Sequence, residues 1–105
     1  YKQAIQKARD SRVEKMVVVG SNFATSQKAI QIAQEFPDIC FAAIGLHPIH
    51  VLDEEFVEEF ENLADKKEVV AIGEVGLDYF RLSKGTEEKI KQEEIFLKFF
   101  DLAKK

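Results

Sequence analysis

The sequence is short of several things, and each shortage closes a line of interpretation. It has one cysteine, Cys40, so no internal disulfide can form, and within the apolar run ICFAAIG that thiol reads as a small hydrophobe. No CxxC, HExxH or GxSxG motif occurs, nor a glycine-rich phosphate cradle of the GxGxxG or Walker kind. Positive charge is also scarce: 15 Lys and Arg stand against 19 Asp and Glu, a formal net charge of -4. That balance excludes a protein that grips nucleic acid by bulk electrostatics, so any phosphate contact must be local and metal-mediated. There is no signal peptide and no apolar run long enough to span a bilayer, so the expected compartment is a reducing cytoplasm, with no membrane partner. With 105 residues and no long polar linker, one small domain is expected over 1–105.

What is present is a set of three short apolar runs, each ending in glycine: MVVVG from Met16, ICFAAIG from Ile39 and VVAIG from Val69. They are continuous rather than alternating and rich in β-branched residues, which predicts parallel strands covered on both faces near 16–20, 39–45 and 69–74. Between them the apolar period becomes helical. Ala29, Ile30, Ala33 and Phe36 share one face, with Ser21 or Asn22 placed to cap and Pro37 to terminate. A further helix is expected from an N-cap at Asp53, with Phe56, Val57, Phe60, Leu63 and Ala64 as its stripe. The last helix is expected from about Thr86, carrying Ile95, Phe96, Phe99, Phe100, Leu102 and Ala103, and Ala4, Ile5 and Ala8 mark one at the start.

The order is α-β-α-β-α-β-α, with the closing glycines Gly20, Gly45 and Gly73 25 and 28 residues apart. This spacing suits βα units and is shared by an open doubly wound sheet and a (β/α)8 barrel. A barrel takes about 250 residues, so on that reading the chain is a partial barrel. Both ends fall inside helical patterns, YKQAIQKARD and FFDLAKK, and read as cut.

In either architecture ligands bind beyond the carboxyl ends of the strands. Those ends read GSN, GLHP and GEVGLD. Glu74 is the sharpest candidate: a carboxylate there can ligate a hard divalent cation, or pair with a lysine or arginine of a neighbouring loop. His47 can serve as metal ligand or phosphate contact, held by Pro48, while His50 one turn on is expected to face solvent. Asp78 can accept a hydrogen bond from a metal ligand or its water, or cap a turn before Tyr79. Arg81 can hold a phosphate bidentately or pair with an acid. Tyr79 and Phe80 can stack on a base or pack within the loop.

GLHP, then AIGEVGLDYFR, then Gln92 with the helix QEEIFLKFFDLAKK resemble the TatD-related metal-dependent deoxyribonucleases of the amidohydrolase-like barrel superfamily over essentially the whole chain. The resemblance implies a (β/α)8 barrel that hydrolyses phosphodiester bonds in DNA with divalent metal, Mg²⁺ foremost and Mn²⁺ or Zn²⁺ as alternatives, two ions in the intact parent. It implies Glu74 as a catalytic metal ligand, His47 as a catalytic group beside the substrate phosphate, Asp78 behind the metal site and Arg81 facing the substrate. The family's H-x-H strand and its later histidines and aspartate are not in these residues. The chain alone is therefore expected to be inactive, to need the missing barrel segments, and to self-associate. A second reading of the same turns is a non-catalytic α/β module that binds a phosphorylated small molecule through GSN and GLHP.

Overall fold

Three parallel strands, β1 (Met16–Val19), β2 (Cys40–Ile44) and β3 (Val69–Ile72), lie side by side in that order in the computed structural model, which describes residues 1–80 and 85–105. Helices α1 (Lys2–Asp10), α2 (Phe23–Glu35), α3 (Glu59–Ala64) and α4 (Thr86–Ala103) alternate with them. This is the predicted α/β order, and it is the repeating βα geometry of a partial (β/α)8 barrel. Pairing runs in register from Met16 opposite Cys40 to Val19 opposite Ala43. Between β2 and β3 the register slips: Ala42 faces Val69 but Ala43 faces Ala71, leaving Val70 as an extra, bulged residue.

The helices cover one face of the sheet only. Met16, Val18, Ala42 and Ile44 face α2 and the core, whereas Val17 and Val19 are 51% and 50% exposed on the opposite face. The continuous apolar runs predicted cover on both faces. The difference has a plain cause: the helices contribute to one core on the same side, and none of the described residues covers Val17, Val19 and Ala71.

α2 starts as predicted. Asn22 caps it, its Oδ1 accepting from the Thr25 amide at 2.8 Å while Thr25 Oγ1 accepts from the Asn22 amide at 3.0 Å. α3 corrects the expectation of an N-cap at Asp53. The chain instead forms a 3₁₀ turn over Pro48–His50, and His50 O accepts from the Asp53 and Glu54 amides, so the helix begins only at Glu59. Phe56 still reaches the core from outside the helix and stacks on Phe60, and Phe99 meets both rings edge-on with centroids 4.9 Å away. Val57 is left exposed. Burying Phe60 and Phe99 completely contributes about 1.5–3 kcal/mol each, which makes this cluster the principal weld between α3 and α4. Phe100, one position on from Phe99, points away and is half exposed.

α1 is tied to the lead into β2 by a forked pair. Arg9 Nη1 and Nη2 donate to the two carboxylate oxygens of Asp38 at 2.6 and 3.0 Å. The guanidinium holds the Asp38 carboxyl below its ordinary value. Cys40 is buried, and burial pushes its thiol pKa up, as expected of a thiol that acts as a hydrophobe. No helix among the described residues is long and apolar enough to cross a membrane.

Candidate functional site

The three strands end on one rim, and main-chain bonds lock those ends together. Gly20 N donates to Ala43 O at 2.9 Å and Gly73 N donates to Ile44 O at 2.8 Å, extending the sheet by one residue on each side. Past the strands, the His47 amide donates to Ser21 O and the Glu74 amide to Gly20 O, each at 2.8 Å. The GSN turn thus carries the backbone of both candidate residues. It is stiffened in turn by Thr25 Oγ1, which accepts from the Ser21 amide at 2.8 Å.

Ser26 holds the middle of this assembly. It is wholly buried, and its Oγ accepts from Gly45 N at 3.1 Å and donates to Gly45 O at 3.3 Å. The glycines allow the approach. A Cβ on Gly20 would stand 2.4–2.7 Å from Ser26, and one on Gly45 would stand 2.7 Å from Glu74 O. Ser26 was missed by the sequence reading, although a serine on the apolar face of Ala29, Ile30 and Ala33 is a visible anomaly: a hydroxyl on a buried stripe needs a partner.

His47 sits half-buried between Leu46 and Pro48, both buried. Its Nδ1 accepts from the Ile49 amide at 3.1 Å, which places the proton of the neutral ring on Nε2. Nε2–H is then a donor, the property a phosphate contact needs and a metal ligand lacks. His50 is half-buried rather than solvent-facing, with its ring 6.5 Å from that of His47.

Glu74 is exposed at the rim, and its peptide bond with Gly73 is cis. Among the described residues no lysine or arginine pairs with it. Asp78 follows on a loop held by α4. Its amide donates to Gln92 Oε1 at 2.7 Å and its carbonyl accepts from Gln92 Nε2 at 2.9 Å. Asp78 Oδ1 accepts from the Phe80 amide at 3.2 Å, so the turn-capping role open to it in the sequence is made. Gln92 is 2% exposed, and on α4 it shares the buried stripe of Glu88, Ile95, Phe99 and Leu102, a placement that marks it as a polar residue with a structural task. Tyr79 also returns to α4, its hydroxyl donating to Glu93 Oε1 at 2.6 Å, and that acceptor raises the phenol pKa. Arg81 lies outside the described residues.

Two further observations limit the chemistry. Among the described residues no group of three or more His, Cys, Asp or Glu side chains gathers to hold a metal ion. A cleft of about 510 Å³ runs along the free edge of β3, lined by Ala64, Val69, Val70 and Leu102 among others, and holds none of the candidate residues. The rim, not this cleft, is the candidate site.

The profile of the TatD related DNase family matches residues 1–105, the whole chain. The chain belongs to that family. It is 40% identical over 81 residues to the 3'-5' ssDNA/RNA exonuclease TatD of Pantoea vagans, an alignment covering 75% of this chain and 31% of that protein. The corresponding exonuclease of Edwardsiella piscicida is 37% identical over the same shares of the two chains. A Bacillus subtilis protein described as an uncharacterized metal-dependent hydrolase, YabD, is 40% identical over 79 residues, 73% of this chain and 31% of its own length. The chain thus spans about a third of the curated relatives it matches.

Proposed function

We propose that these residues form the central part of the rim of a divalent-metal-dependent nuclease that hydrolyses phosphodiester bonds in DNA. The observation that carries the reading is the common anchoring of Glu74 and His47 to Gly20 O and Ser21 O. It hangs from one turn an exposed carboxylate that has no ion-pair partner among the described residues and a neutral imidazole whose Nε2 is a donor. The family and the names of the relatives above, exonuclease and metal-dependent hydrolase, support the reaction class.

His47 Nε2–H donates to a phosphate oxygen of the substrate, orienting it and countering its charge without a proton leaving the ring. Glu74 provides one oxygen ligand. A bound divalent cation supplies charge neutralisation and an acidified water. A single carboxylate does not meet the three or more protein ligands such an ion needs, so this site is one that Glu74 shares with groups outside the described rim. Oxygen ligation favours Mg²⁺, with Mn²⁺ or Zn²⁺ where imidazoles complete the set. Asp78 steadies the loop behind Glu74, the guanidinium chemistry of Arg81 suits a contact with the substrate phosphate, and a reducing cytoplasm suits the single buried thiol. The 105 residues alone are inactive on this reading, and their exposed sheet face promotes self-association.

Glu74→Gln in the full-length protein tests it. Metal-dependent cleavage of a single-stranded oligonucleotide is expected to vanish while circular dichroism stays native. Cleavage at the wild-type rate overturns the assignment.

A further inference from the structure

Three consecutive residues of the rim loop differ sharply in how they are used. Asp78 is gripped at both its amide and carbonyl by buried Gln92. Tyr79 is spent on α4: its hydroxyl binds Glu93 and Lys89 Nζ lies 5.1 Å over its ring. Phe80 follows, its amide held by Asp78 Oδ1 and its side chain 95% exposed. An apolar ring on a slack loop tip would mean little, since single exposed hydrophobics are ordinary. Here the backbone on its N-terminal side is fixed by three hydrogen bonds, and the ring is displayed from it.

We propose that Phe80 is a stacking platform for an unpaired base of a single-stranded nucleic acid substrate. The inference rests on the nuclease reading and adds to it the feature of the substrate that the rim reads. Three physical points converge on this occupant. Phe80 lies six positions after Glu74, which caps their separation at about 20 Å of extended chain, within reach of the nucleotides flanking a phosphate at the rim. A net charge of -4 gives little bulk electrostatic attraction for a strand's backbone, so a neutral contact adds affinity. A single ring is also far smaller than the roughly 800 Å² per partner of a stable protein interface, whereas it matches the face of one base. Because every base has a π-face, the contact is indifferent to sequence but demands an unstacked base, which selects single strands over duplex.

The test is steady-state cleavage of single-stranded DNA by the full-length protein. Phe80→Leu keeps the apolar bulk and removes the ring; it is expected to raise KM about 5- to 100-fold with kcat little changed, and Phe80→Trp to restore KM. An oligonucleotide with one abasic nucleotide at successive positions near the cleaved bond separates stacking from structure. At the stacked position the wild type loses the same factor, and Phe80→Leu loses nothing further. An unchanged KM in Phe80→Leu, or equal losses on abasic and normal DNA at every position, overturns the inference while the nuclease reading stands. A wild-type protein that cleaves no DNA overturns both.

Discussion

The amides of His47 and Glu74 donate to adjacent carbonyls of one turn, Ser21 O and Gly20 O, each at 2.8 Å. Two residues that lie on different strand ends therefore share one backbone support. Moving that turn moves both, and a group that displaces either strand end is felt at the other.

Gly45→Ala puts this coupling to the test. The added Cβ would stand 2.7 Å from Glu74 O and 2.9 Å from Gly73 C, both main-chain atoms that a rotamer change does not relieve. The expected cost is about 1–3 kcal/mol of overpacking, with the Glu74 backbone pushed off Gly20 O. Thermal denaturation reads the first effect. Amide hydrogen exchange reads the second, as faster exchange at Glu74 with the interior of β1 unchanged.

Gln92→Leu is expected to release the loop while leaving α4 folded. The substitution keeps the buried volume but strands the Asp78 amide and carbonyl, at about 1–3 kcal/mol. Gln92→Glu keeps an acceptor for the amide but buries a carboxylate against the Asp78 carbonyl, so it too should melt below wild type at neutral pH, with the deficit shrinking in acid. Exchange rates at Asp78 and the melting temperature of the three proteins check both variants.

The Arg9–Asp38 fork gives a pH dependence with a definite sign. Pairing lowers the Asp38 pKa from its ordinary 3.8, so the unfolded chain binds the proton more readily than the folded one. The stabilisation is present above pH 3.8 and is lost as pH falls through the lower, folded value. Asp38→Asn should therefore melt slightly below wild type at neutral pH, with the difference closing in acid and shrinking in high salt, since the pair is exposed. A difference that grows in acid would contradict the assignment.

Much of this architecture was legible because its signals are local. Glycine-ended β-branched runs gave the three strands, and Asn22 with Thr25 gave the start of α2. Asp53 misled because N-cap chemistry is equally turn chemistry, and His50 O took up its amide in a turn instead. The face left bare by Val17 and Val19 was not legible, since a buried run reads the same whether or not its cover belongs to the same residues. At the rim, Glu74 and His47 could be picked out as candidates from their positions past strand ends. Their shared support could not, because it is made by backbone atoms that every residue has. Ser26 and Gln92 stood between these cases: each is a polar residue on an apolar stripe, visible as an anomaly, with a partner that only the tertiary structure supplies.

The bulge at Val70 has a consequence for which mutations β3 can survive. Side chains alternate along a strand, so one extra residue reverses the parity of everything after it. With Val70 counted out, Ile72 stands opposite Ile44 and turns inward to the helices, and Gly73 arrives beside Gly45. Deleting Val70 would therefore remove the bulge and leave Ile72 opposite Ile44, whereas inserting one residue between Ala71 and Ile72 would present Ile72 to the bare face and bring Glu74 to the rim half a pleat out of step. Point substitutions in this strand alter fit; a one-codon insertion would alter which side of the sheet the carboxylate belongs to.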